Sequence, residues 1–280
     1  MSKVYEIVTD KIISLLEQGV IPWHKPWDVT MPMNLVSKKP YRGINTLLLS
    51  HMGYKSPYWL TFNQAKRLGG HIKKNSKGMP VVFWNMIQGK DDSEGEKTVP
   101  LLRYHTIFNS EQCENIPVPE IDKREFNPIE ECERVVENMP NRPTIEYGGK
   151  RACYIPSMDV VQMPHKESFE SPEHYYSVLD HELIHACGAE KRLNRKSIAE
   201  ISHFGSEQYG IEELIAQIGS SYLCCLTGIE NQTIDNSAAY IATWLDKIRK
   251  DRRMILVASG KAQQSVDYIL NTLGQENHEN

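Results

Sequence analysis

The run His181-Glu182-Leu183-Ile184-His185 sets two imidazoles four residues apart with a carboxylate after the first. On a helix four residues is close to one turn, so both rings share a face and can reach one divalent cation. Glu182 then lies beside that cation, where it can take a proton from the attacking water. The expected ion is Zn2+, or another divalent transition metal, since imidazole and carboxylate donors accept several. A hydrolytic centre keeps one coordination position open and needs a third protein ligand. The helical stretch Ile211 to Thr227 offers Glu212 and Glu213. Both stay open; Glu213 is preferred because Gln217 follows it by one turn on the same face and can support a ligand, whereas Ala216 follows Glu212. Asp180 is expected to face solvent or support the site. His203 reads as a loop histidine and Tyr209 as a packing residue.

Several elements must position these groups. Ser171-Pro172 is a helix start, predicting a helix to about Ala186 with Gly188 as its stop. Residues 152–156 and 160–164 read as two short strands about a turn, and a strand beside such a helix can hold peptide backbone by strand addition. Helices over 237–258 and 262–273 read as packing. Earlier in the chain, Val4 to Gln18 has a helical apolar stripe closed by Gly19, and Thr61-Phe62-Asn63-Gln64 fits a capping box closed by Gly69-Gly70. Residues 79–84 and 101–108 read as strands, with a polar tip over 88–97 and Trp59, Phe83 and Trp84 as core. The Pro- and Glu-rich stretch 114–143 reads as a connection. The expected organisation is therefore residues 1–113, a linker over 114–143, and residues 144–280.

Composition fits this layout. The chain has 280 residues, 40% hydrophobic and 24% charged, enough to bury a core. It carries no eighteen-residue apolar run and no signal-peptide pattern, so a cytoplasmic protein without a membrane segment is expected. Six cysteines without C-x-x-C spacing support neither a disulfide framework nor a zinc knuckle. The net charge of −4 hides a division: residues 1–90 carry +9 and the remainder −13. Cations interleaved with aromatics are what single-stranded DNA requires, because cations follow phosphates while bases stack on rings. Trp23, Trp27, Tyr41, Arg42, Lys73, Lys74 and Lys77 are the candidates, with Tyr58 beside them.

The order of motifs is specific: Ile21-Pro22-Trp23 with Pro26-Trp27, Pro40-Tyr41-Arg42-Gly43-Ile44-Asn45, Trp59-Leu60-Thr61-Phe62, and Gly78-x-Pro80-Val81-Val82-Phe83-Trp84. It resembles the ArdC antirestriction family over nearly the whole chain. The resemblance implies an α+β protein: an N-terminal α+β domain binding single-stranded DNA, also found on some plasmid primases, then a zincin-like metallopeptidase domain with a helical C-terminal part. It adds Asn45 to the DNA-binding candidates, and it implies a role in protecting incoming plasmid or mobile-element DNA from restriction. In the family's Glu-Glu-Leu-Val-Ala-Glu run the last residue is acidic; here Gln217 stands there, and a neutral amide supports positive charge less. The expected function is peptide-bond hydrolysis on DNA-associated protein, its substrate or restriction-enzyme partner unidentified. The alternative is protection by DNA binding alone, with a structural metal.

Overall fold

The computed structural model describes residues 3–24, 31–90, 96–120, 127–199, 207–230 and 238–272. Helix α1 (Lys3–Glu17) buries Val4, Val8, Ile12 and Leu16, the fourfold spacing of one face. There follow β1 (Met33–Asn34), α2 (Ile44–Ser50), β2 (Tyr58–Thr61), α3 (Phe62–Arg67), β3 (His71–Ile72), β4 (Met79–Lys90), β5 (Glu96–Asn109) and β6 (Cys113–Glu114). The expected capping box starts α3: the Thr61 hydroxyl accepts from Gln64 N and the Gln64 side chain accepts from Thr61 N. One sheet runs β1-β2-β5-β4, and β3 pairs with β6 apart from it.

The two strands expected over 79–84 and 101–108 are longer than the apolar runs that announced them. They pair continuously from Met79↔Ile107 to Lys90↔Glu96, so residues 88–90 and 96–97 of the polar stretch are ladder. Because β2 covers only Ile107 to Asn109, β4 and β5 extend beyond it as a two-stranded arm. The outer edge of β4 is closed by a side chain: Asn45 Nδ2 donates to Val82 O at 2.8 Å and Asn45 Oδ1 accepts from Val82 N at 2.7 Å. One amide thus stands in for a neighbouring strand at this position of the edge.

The second half begins inside the expected linker. Helix α4 (Pro128–Glu137), capped by Asn127, buries Cys132, Val135 and Val136, with Met139 buried just beyond it, so this stretch is packed structure. A small sheet of β7 (Thr144–Tyr147), β8 (Cys153–Ile155) and β9 (Val160–Met163) has the order β7-β9-β8, with β8 on an edge and antiparallel to β9. Then come α5 (Pro172–Ala186), α6 (Lys196–Ala199), α7 (Glu207–Thr227), α8 (Ala238–Lys250) and α9 (Met254–Ile269). The helix expected over 237–258 breaks at 251–253. There Asp251 accepts from Arg253 N, while Thr9 donates to Arg252 O at 2.6 Å and Arg252 pairs with Asp10. Docking against α1 sets a break that periodicity alone does not show.

One hydrophobic cluster spans both halves. It joins Val4, Val8, Ile12, Leu16, Trp23, Leu47 and Val82 to Leu179, Leu183, Ile218, Tyr222, Trp244 and Ile255. Residues 1–113 and 144–280 are therefore successive in sequence but share a core, and the connection expected to separate them contributes α4 to it. No helix among the described residues is long and apolar enough to cross a membrane.

Candidate metal centre

Helix α5 starts at Ser171, whose hydroxyl accepts from His174 N at 3.1 Å, with Pro172 in the first turn. Its buried face (Tyr175, Tyr176, Leu179, Leu183) locks it into the core and aims His181 and His185 at α7. The helices approach closely at Gly219, where an added Cβ would sit 2.7 Å from the Ile184 side chain. Only glycine allows that approach, which brings the next turns of α7 over the two histidines.

Across this gap His181 Nε2 lies 3.1 Å from Glu213 Oε1, His185 Nε2 3.7 Å from Glu213 Oε2, and the two Nε2 atoms 3.2 Å apart. One donor atom from each of His181, His185 and Glu213 falls within 4.8 Å of the others. Two imidazoles and a carboxylate converging on one point fit a divalent cation with room for a further ligand. Glu212 does something different. Its carboxylate is 3.5 Å from His185 Nδ1, the opposite side of the ring from Glu213, and it accepts from Arg195 Nε at 3.2 and 3.1 Å. A carboxylate at Nδ1 fixes the tautomer that leaves the Nε2 lone pair for a metal. Arg195, unsuspected from sequence, is itself buried and also donates to Ile184 O at 2.7 Å and Ser265 Oγ at 2.7 Å. It ties both site helices to α9. Glu182 is buried beside the histidines, and its Oε2 accepts from Tyr154 N of edge strand β8 at 2.8 Å.

The charges respond to this crowding. Burial alone would lower His185, but Glu212 and Glu213 outweigh it and push it up to about 10. Burial would raise Glu212, yet His185 and Arg195 bring it down to about 2. Glu213, desolvated but flanked by both histidines, is held below the ordinary carboxylate range. A proton on His185 thus occupies the position that a cation's charge would take.

Two expectations about supporting residues are corrected. Gln217 does not turn to Glu213 in the contacts seen: its Oε1 accepts from the Tyr240 hydroxyl, which accepts from Trp23 Nε1 at 3.1 Å. Asp180 does not face solvent; it is buried, and desolvation raises its carboxyl well above the usual range. His203 and the side chain of Tyr209 lie outside the described residues.

The DNA-binding candidates scatter. Trp23 is 0% exposed, edge-on to Trp244 with ring centroids 5.8 Å apart, so it is core and offers no face to a base. Tyr41 is buried against Trp59 and Met79, and its carbonyl accepts from Thr46 Oγ1. Asn45 serves the β4 edge and is buried. All three are structural positions. Tyr58 is buried with Lys38 over its ring. Arg42 pairs with Asp267 of α9 while staying partly exposed. Lys73, Lys74 and Lys77 are exposed, Lys73 Nζ donating to Glu111 O at 2.8 Å. Trp27 lies outside the described residues, as does the side chain of Trp84. Phe83, expected in the core, is 39% exposed. Hydrophobicity marked it as interior, but the arm carries it past the helix that covers Met79 and Val81.

Comparisons with known proteins bear on both halves. Family models match the N-terminal domain of anti-restriction factor ArdC over residues 2–108 and a zincin-like metallopeptidase over residues 130–261. Uncharacterized protein y4eC of Sinorhizobium fredii is 34% identical over 284 residues, covering 95% of this chain and 91% of its own. DNA primase TraC of Escherichia coli is 32% identical over 95% of this chain, which spans only 27% of that relative. The metal-free structure of antirestriction ArdC protein from plasmid R388 superposes with a TM-score of 0.78 at 34% identity, over 97% of this chain and 98% of that one. Its Mn(II)-bound structure gives 0.78 at 32% identity, over 99% and 100%. With a relative and a solved structure both above 30% identity across nearly their full lengths, this chain belongs to the ArdC antirestriction family.

Proposed function

We propose that the chain is a metal-dependent peptidase that binds single-stranded DNA and hydrolyses protein associated with it, as an antirestriction factor of a plasmid or mobile element. The observation that carries this is the convergence of His181, His185 and Glu213 beside a buried Glu182. His181, His185 and Glu213 would hold the ion, Zn2+ or another divalent transition metal; the R388 relative has an Mn(II)-bound structure. A divalent cation so held supplies an activated water and polarises a carbonyl oxygen. Glu182 takes the proton from the attacking water and returns it to the departing amine nitrogen, and the Tyr154 N–H keeps its carboxylate aimed while that exchange occurs. Glu212 and Arg195 hold His185 in the metal-binding tautomer.

The test is Glu182→Gln in the full chain, assayed for metal content, for proteolysis of DNA-bound protein and for protection of transferred DNA from restriction. The reading expects metal retained and the other two lost. Protection that survives Glu182→Gln but disappears when Lys73, Lys74 and Lys77 are neutralised selects the alternative, protection by DNA binding with a structural metal.

A further inference from the structure

From Val29 to Lys90 the chain has ten Lys and Arg and no carboxylate, and none occurs from Leu101 to Ser110. Within this acid-free region the β4–β5 arm changes character along its length. Where β2 and α2 cover it, Met79, Val81 and Ile107 are buried together. Two residues further out the same face opens: Phe83 pairs in register with Arg103 and Val81 with His105, and Phe83, Arg103 and His105 are exposed. The Phe83 and His105 rings lie 5.5 Å apart. On the opposite face Tyr104 is 44% exposed.

Exposed rings beside an arginine offer faces that a planar partner can cover, and charge decides which partner. A membrane core gains nothing from a stretch whose acid–base side chains are basic throughout, whereas a phosphate chain does. Paired bases are already stacked on both sides, so exposed rings on a sheet suit unpaired bases. Four carboxylates lie between Asp91 and Glu96 in the sequence. Glu96 pairs with Lys90, seven residues of strand and roughly 23 Å from Phe83, beyond a Debye length of about 8 Å, so it does not cancel the charge at the arm's base.

We propose that Phe83, Arg103 and His105 form the surface on which unpaired DNA bases stack, with Arg103 also meeting phosphate. The inference rests on the single-stranded-DNA reading above and gives it a location distinct from Trp23, Tyr41 and Asn45. Fluorescence anisotropy of a labelled oligo-dT with the full chain tests it, with thermal melting to check each variant's fold. Phe83→Leu keeps an apolar side chain but removes the ring, and the expected weakening is about 5- to 100-fold. Arg103→Gln is expected to lower the slope of log affinity against log salt by about 0.7. Parent protein that fails to bind oligo-dT at low salt overturns the single-stranded-DNA reading and this inference with it. Parent binding that is unchanged in both folded variants, or that is matched by a duplex of equal length, overturns the placement alone.

Discussion

The α5–α7 centre and the exposed base of the β4–β5 arm are opposite ways of building a binding surface. At the centre, polar groups are packed against one another: Glu212 and Glu213 hold two sides of one imidazole, and Arg195 reaches two helices and a backbone carbonyl. On the arm, Phe83, Arg103 and His105 meet water, the Phe83 and His105 rings touching only each other's edge, and a partner must supply the remaining contacts. Preorganisation lets a buried site fix geometry before a ligand arrives, whereas an exposed face gains affinity by adding up weak, salt-sensitive terms. Removing one group should therefore be severe at the centre and graded on the arm.

The largest expected effect is on catalysis: Glu182→Gln should lower peptide hydrolysis by about 10²- to 10⁴-fold with metal content near that of the parent. A variant that retained parental turnover would end the assignment of Glu182 as base. Next come losses of fold. Trp23→Ala empties a fully buried position and should cost about 3–5 kcal/mol, read by thermal or urea unfolding, while a surface stacking residue would cost little. Glu212→Ala leaves the Arg195 charge buried without its carboxylate, and a loss of about 3–5 kcal/mol is expected; Glu212→Gln should instead weaken metal affinity about 10- to 100-fold by loosening His185.

The centre also titrates. In the metal-free protein His185 is raised from 6.5 to about 10, so its pairing with Glu212 and Glu213 stabilises the fold fully below pH 6.5 and fades as pH climbs toward 10. Metal binding must displace that proton, so affinity measured by competition with a chelator should rise with pH across the same window, by up to about tenfold per unit. A flat profile would show that no proton leaves. The smallest effects belong to Lys73, Lys74 and Lys77: each change to Ala should lower the salt slope of oligo-dT binding by about 0.7 and leave stability nearly untouched.

The readings from sequence divide in the same way. The pair His181 and His185 could be seen in advance because helical spacing is local, and Ser171-Pro172 marked the start of the helix that carries them. The reason offered for preferring Glu213 over Glu212 does not hold, since Gln217 bonds to Tyr240; what separates the two glutamates is which ring nitrogen of His185 each faces. Arg195 gave no signal, because an arginine in a turn looks solvated until three elements close over it.

Local rules sufficed wherever a property depends on neighbours within a turn or a strand: caps, the two-histidine spacing, the capping box at Thr61, the charge division along the chain. Tertiary structure alone decided burial and partnership. Whether Trp23 or Phe83 meets water depends on which helix covers it, and α8 lies more than two hundred residues from Trp23. The shared core of the two halves, the strand-like role of Asn45 and the buried clamp of Arg195 on Glu212 likewise arise from contacts between distant segments, which the linear order of residue types does not specify.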